Sequence, residues 1–323
     1  VAPVRRIALY NRVLRSVPFA PSGGICSVTP EDILAHPPRV LTEAQRRHYF
    51  ETGFLAAEGL VPPAWLARLI ELSDAFLEES RWVAASNEAF DLGPRHNADR
   101  PHVRRLRALV DRHPDFWRFA AESVLADIAA DLVGPDVKFH SSKLNYKWPG
   151  SGEIVKWHQD IPAWPHTNYS PVTLGVYLGD VASEAGPLTC VPGSHRGPIF
   201  VHRDANGAWT GSIGDRDMED VDLSHAEDLT GRAATVIAIN CRTVHSSRAN
   251  ATGRVRPLPL FVYSSADAFA WMPAPTPTTR TGAIVRGEPA RVAHLDPTPC
   301  PVPPDWSRDG YGSIFTAQDA GDI

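Results

Sequence analysis

This chain has little lysine. Its 323 residues hold 32 Lys+Arg, yet only four of these are lysine: Lys138, Lys143, Lys147 and Lys156. With a formal charge of -5 there is no polybasic footprint, which excludes nucleic acid as an expected partner. Cysteine is sparse too: Cys26, Cys190, Cys241 and Cys300 lie far apart and form no CxxC pair. That argues against a zinc ribbon and suits reduced thiols in a cytoplasmic protein. No apolar run approaches a membrane span, and no charged-then-apolar segment opens the chain, so no membrane partner is expected. Internal repeats are absent, and nothing in the sequence fixes an oligomeric state.

The four lysines fall within nineteen residues. Either the clustering is chance in an arginine-favouring composition, or a strand pair here needs compact ammonium groups that Arg cannot replace. Residues 1–40 are rich in proline, show no sustained periodicity and read as an N-terminal arm. Residues 41–323 then form a single domain. Thr42-Glu43-Ala44-Gln45 is a capping box that predicts a helix ending near Gly53. Leu66, Leu69, Ile70, Leu72 and Phe76 predict a second helix over 63–80, and residues 115–133 a third.

From about residue 137 the texture changes to strands. These are expected at 137–147, 153–160, 172–179, 187–191, 234–240, 243–248 and 255–264. Short β runs between Gly/Pro turns predict a mainly β fold with flanking helices, a double-sheet jelly roll. Stretches 83–105 and 203–230 read as long polar loops, and 271–323 as a tail packed on the core.

What the chain does have is a set of metal-ligand residues. His158-Gln159-Asp160 follows the strand-like Glu153-Ile154-Val155-Lys156-Trp157, and alternation on a strand would turn His158 and Asp160 to one face. With the remote His245 they make two imidazoles and one carboxylate, the set that holds non-haem Fe(II) and leaves positions open. His-X-Asp also occurs at His113-Pro114-Asp115, which reads as a helix start, and at His202-Arg203-Asp204, which reads as a loop beside Asn206-Gly207. A lone His in a β core is ordinarily structural; strand context selects the copy at 158–160. The distal carboxylate of a 2-oxo acid needs a rigid cationic fork, for which Arg254 or Arg256 could serve. Ser247 shares a strand face with His245.

At these residues the chain resembles the phytanoyl-CoA dioxygenase family of Fe(II)/2-oxoglutarate oxygenases, which includes ectoine hydroxylase. Leu41 to Leu60 resembles the family's opening helix and strand. Asn145 to Gly150 leading to Trp157-His158-Gln159-Asp160 resembles its metal segment. Gly186-Pro187-Leu188 with Pro192-Gly193-Ser194-His195 resembles its glycine turn, and Val244-His245-Ser246-Ser247 with Asn250 and Arg256 its distal ligand strand. The resemblance spans roughly 41–265 and implies a cupin-like double-stranded β-helix. It implies His158, Asp160 and His245 as iron ligands. Arg256, eleven residues after His245, is then the 2-oxoglutarate arginine, with Ser247, Asn145 and Tyr177 as further cosubstrate contacts. Trp164 and Lys143 match substrate-facing positions, and His195 is expected to be structural.

The implied activity is dioxygen-dependent oxidation of a small organic molecule, coupled to decarboxylation of 2-oxoglutarate. Asp160 separates the chain from the family's halogenases, whose carboxylate position holds a small residue. Hydroxylation, desaturation and rearrangement stay open. An amino-acid derivative or a natural-product intermediate fits the mixture of lysines and tryptophans. The competing classes are a jelly-roll metal-binding protein, an iron oxygenase that does not use 2-oxoglutarate, and a catalytically silent binder.

Overall fold

The computed structural model describes residues 29–311 and 313–320. Thr29 and Thr42 each close a capping box, with Asp32 and Gln45 as the returning side chains, and so open α1 (Pro30–Ala35) and α2 (Glu43–Thr52). Gly53 ends α2 at φ 89°, where a Cβ would also lie 2.5 Å from His195 Nδ1. Glycine is required there by backbone and by space alike. α3 (Pro63–Glu79) and the one-turn α4 (Leu109–Arg112) follow.

The single helix expected over 115–133 is two. Ser123 adopts extended backbone, donates to Phe119 O and accepts from Leu125 N. It thereby ends α5 (Pro114–Glu122) and caps α6 (Val124–Val133). Both helices bury apolar residues in one core, so the hydrophobic pattern runs through the corner and hides it.

Residues 29–40, aperiodic in sequence, are pinned by polar contacts. The buried Asp131 carboxylate on α6 accepts from the backbone N–H groups of Arg39, Val40 and Leu41. The buried Arg46 guanidinium donates to the carbonyls of Asp131, His36 and Ile33. Asp131→Ala strands three backbone donors, that of Leu41 buried, and is expected to destabilise the fold by roughly 2–4 kcal/mol, read as a lower urea midpoint. An unchanged midpoint would mean that this segment contributes nothing to global stability.

The strands form two facing sheets. The larger has the order β1 (Phe54–Ala57), β9 (Val236–Asn240), β6 (Val172–Val176), β11 (Arg256–Ser265), β4 (Val137–Lys147), β3 (Val103–Arg107), β2 (Phe90–Leu92), and β12 (Ile284–Arg286) pairs with the start of β4. The smaller has the order β5 (Val155–His158), β10 (His245–Ser247), β7 (Leu188–Cys190), β8 (Glu227–Asp228). This is the double-stranded β-helix expected from the strand pattern. One face of the larger sheet, with Leu106, Leu144, Tyr146, Phe261 and Tyr263, packs on the helices. The other face looks across at the smaller sheet.

Three expectations need correction. β5 is shorter than the predicted 153–160 and stops at His158. β2 and β3 occupy the predicted loop 83–105. Their charged sequence concealed them, because the inward face of β3 meets a polar cavity. The predicted loop 203–230 holds α7 (Asp215–Met218) and β8.

The tail packs on the core through β12, α8 (Trp306–Asp309) and α9 (Ile314–Ala320). Trp306 Nε1 donates to Ala163 O, and Gln318 bridges Lys156 N and Gly211 O. Cys190, Cys241 and Cys300 are free thiols, while Cys26 lies outside the described residues. Among the described residues no helix is long and apolar enough to cross a membrane.

Candidate active site

β5 and β10 pair so that His245 stands directly opposite His158, and their rings come within 4.0 Å centroid to centroid. Each ring is oriented by the backbone two residues earlier: His158 Nδ1 meets Lys156 O and His245 Nδ1 meets Thr243 O, both at 2.9 Å. Those bonds place the ring proton on Nδ1 and leave Nε2 as a lone-pair donor.

Asp160 arrives differently from the sequence expectation. Its backbone is helical (φ -74°, ψ -38°), opening a 3-10 turn over Ile161–Ala163, so a turn rather than strand alternation delivers the carboxylate. Thr173 Oγ1 on β6 donates to Asp160 Oδ2 at 3.0 Å, and Asp160 Oδ1 lies 3.9 Å from His158 Nε2. The ligand atoms of His158, Asp160 and His245 all lie within 4.8 Å of one another, and all three residues are buried.

The electrostatics suit a cation. Burial holds both imidazoles below the usual histidine range, and so in the neutral, metal-binding form. Burial alone would raise the Asp160 carboxyl. Lys143, the two imidazoles and the Thr173 hydroxyl outweigh it and keep the carboxyl low and ionised. Two neutral nitrogens and one anionic oxygen, converging from one side, fit ferrous iron with positions to spare.

The triad shares a cavity of about 100 Å³ with the inner face of the larger sheet. Alternation on β11 sends Arg256, Leu258, Leu260 and Val262 inward. In register on β4, Lys147 faces Arg256, Asn145 faces Leu258 and Lys143 faces Leu260. Arg256 is buried, and among the described residues nothing bonds to its Nε or Nη1. A buried guanidinium with an open fork fits a carboxylate from a ligand. Arg254, its rival in the sequence, is exposed in the turn before β11, where its carbonyl accepts from Asn250 Nδ2.

The other predicted positions divide. Lys143, Asn145, Trp164 and Ser247 all line the cavity. Asn145 Oδ1 accepts from Arg105 Nε at 2.9 Å, and the Trp164 ring lies 5.2 Å from that of His140. The Ser247 hydroxyl accepts from Lys147 Nζ and donates to Gly186 O, so both of its roles are filled within the protein.

Tyr177 is not among the lining residues. It lies just past the end of β6, and its hydroxyl bonds to Leu229 O in the apolar cluster behind Leu258 and Leu260. What links it to the expected cosubstrate contact is Arg256, on whose guanidinium its hydroxyl acts electrostatically. His195 bonds to Phe50 O beside Gly53 and is structural. Of the lysine cluster, Lys143 and Lys147 reach the cavity, while Lys138 donates to Ala266 O.

Several lining residues escaped the sequence reading. His202, dismissed with its loop, is buried and lies against Gln159 N. Arg105 and Arg107 sit on the unexpected β3, and Tyr311 and Phe315 come from the tail. A fourth His-X-Asp, His294-Leu295-Asp296, went unweighed; its histidine pairs with Asp267, outside the cavity.

The chain's similarities to known proteins point to one family. A family model described as Phytanoyl-CoA dioxygenase (PhyH) matches residues 49–258. The chain is 29% identical over 232 residues to a probable alpha-ketoglutarate-dependent hypophosphite dioxygenase of Stutzerimonas stutzeri, covering 70% of this chain and 79% of that one. It is 30% identical over 208 residues to an ectoine dioxygenase of Sphingopyxis alaskensis, covering 59% and 68%. The crystal structure of EctD from S. alaskensis with 2-oxoglutarate and 5-hydroxyectoine superposes with a TM-score of 0.60 at 24% identity, over 79% of this chain and 87% of that one, a likeness of fold. With the family match spanning well over half of its residues, this chain belongs to the phytanoyl-CoA dioxygenase family.

Proposed function

We propose that His158, Asp160 and His245 are the iron ligands of this Fe(II)/2-oxoglutarate-dependent dioxygenase, and that Arg256 receives the distal carboxylate of 2-oxoglutarate. One observation carries the reading: three ligand atoms within 4.8 Å share a cavity with a buried guanidinium that has no partner among the described residues. When bound, ferrous iron supplies the dioxygen chemistry that couples 2-oxoglutarate decarboxylation to substrate oxidation.

The protein's own part is placement. Lys147 Nζ donates to Ser247 O and Oγ and to Arg248 O, tying the end of the strand that carries His245 to β4. Thr173 fixes which Asp160 oxygen stays free. Trp164 and Lys143 face the substrate, and Asn145 completes the cosubstrate wall. The cavity, about 100 Å³, suits a small organic compound. The relatives named for ectoine and hypophosphite also act on small compounds. We place the enzyme in the cytoplasm, where free buried thiols such as Cys190 and Cys241 persist.

The test is conversion of 2-oxoglutarate to succinate by the full chain with Fe(II) and ascorbate, across a panel of small organic molecules. Turnover should require iron and rise severalfold with a compound that fits the cavity. Succinate formation that is indifferent to added iron would overturn the ligand assignment.

A further inference from the structure

β3 and β4 direct three cations into the cavity from adjacent strands. Arg105 stands opposite Asn145 and Arg107 opposite Lys143, so alternation places Arg105, Arg107 and Lys143 on one face, and all three line the cavity. Like charges on neighbouring strands destabilise a sheet, and burial without partners makes the cost larger. Arg105 is only 4% exposed. Arg107 Nε is buried with no hydrogen-bond partner among the described residues, and none of those residues bonds to Lys143 Nζ.

The opposing charges are few. Asp91, buried on β2 in register with Arg105, acts on Arg107 from outside the lining. Among the described residues Asp160 is the only carboxylate that lines the cavity, and it belongs to the triad. Arg105 gives Nε to Asn145 and also meets the Tyr311 hydroxyl. Burial and then the charge of Arg105 push the Lys143 ammonium down to about 8, against the opposing pull of Asp160, whose charge the triad also uses.

This group is distinct from the arginine assigned to the cosubstrate. Arg256 pairs with Lys147, four residues along β4 from Lys143. At the usual strand rise their backbone positions are roughly 13 Å apart, which sets the two groups at different levels of the cavity. Two cationic centres at different levels offer places for two anions.

We propose that Arg105, Arg107 and Lys143 form the substrate-recognition site, and that the compound oxidised is an organic anion whose oxyanion headgroup docks on them. The Trp164 and Phe315 side chains, which also line the cavity, give its carbon skeleton an apolar wall on the way to the triad. The inference rests on reading Arg256 as the 2-oxoglutarate arginine. It adds the charge class of the substrate and two residues, Arg105 and Arg107, that select it.

The test is calorimetric and needs no turnover. The full chain, loaded anaerobically with Fe(II) and 2-oxoglutarate, is titrated with butyrate, with propylphosphonate and with the neutral butyramide. At least one anion should bind roughly tenfold or more tighter than butyramide, the two anions together showing whether one or two negative charges are preferred. Arg107→Gln and Lys143→Gln should each weaken that anion about tenfold and leave 2-oxoglutarate affinity within about threefold. As a second readout, Arg107→Gln should melt at or above the wild-type temperature without ligand, because it removes a buried donor that has no partner among the described residues. Equal binding of butyramide and the anions, no measurable anion binding by the wild type, or variants that bind the anion as well as the wild type would overturn the proposal. If the Arg256 reading is instead at fault, 2-oxoglutarate binding falls in Arg107→Gln and holds in Arg256→Met.

Discussion

Asp160→Ala is expected to abolish both stoichiometric iron binding and succinate formation, with turnover falling on the order of 10³-fold or more. Asp160 supplies the only anionic donor among the three clustered ligands, and its free oxygen lies 3.9 Å from His158 Nε2. Two neutral imidazoles alone leave a dication without charge compensation in a buried site. His245→Ala should behave alike, since β10 holds that ring opposite His158. Thr173→Ala keeps all three ligands and loses only the bond that orients the carboxylate. Its expected cost is 10–100-fold in iron affinity, the usual scale for an orienting partner. Anaerobic dialysis against Fe(II) measures each case. An Asp160→Ala protein that keeps one equivalent of iron would place the metal elsewhere.

Arg256→Met should raise the 2-oxoglutarate KM about 100-fold, with a smaller change in kcat. Losing a buried, forked charge pair with a ligand carboxylate costs about 2–5 kcal/mol, and each 1.4 kcal/mol is tenfold. The same substitution should raise the melting temperature of the ligand-free protein. Burial pushes the Arg256 guanidinium toward its neutral form, and two of its nitrogens have no partner until a ligand arrives. A methionine of similar length removes that penalty. Loss of cosubstrate affinity together with a gain in melting temperature is the signature of a binding residue, since a structural arginine would lose both. Arg256→Lys should recover only part of the affinity, because an ammonium lacks the fork. Unchanged 2-oxoglutarate kinetics would move the cosubstrate site away from β11.

The sequence exposed those parts of the site where local chemistry and global position agree. β4, over 137–147, alternates on either side of an irregularity at His140, because one face meets the helical core and the other the cavity. The capping box at Thr42 and the stop at Gly53 are local signals that need no tertiary context. Asp160 was found for an inexact reason: a strand face was expected and a turn delivers it.

β3 was invisible because Val-Arg-Arg-Leu-Arg lacks the apolar alternation of a half-buried strand. Its inner face meets a polar cavity instead of oil. Tyr177 shows the limit of spacing from the other side: its hydroxyl bonds into the core behind the cavity, a direction that spacing alone does not give. Tyr311 and Phe315, the latter on α9, lie far along the chain from the other lining residues, and only packing shows that they reach the site.

The two sheets divide the labour. Both histidines stand on the small sheet, on β5 and β10, while Arg105, Arg107 and Lys143 stand on β3 and β4 of the large one. Substitutions along the inner face of β3 can therefore retune which compound is accepted without disturbing either histidine. A scaffold partitioned in this way lets selectivity drift under selection while its redox centre stays fixed, and libraries restricted to positions 105 and 107 are the economical way to exploit it.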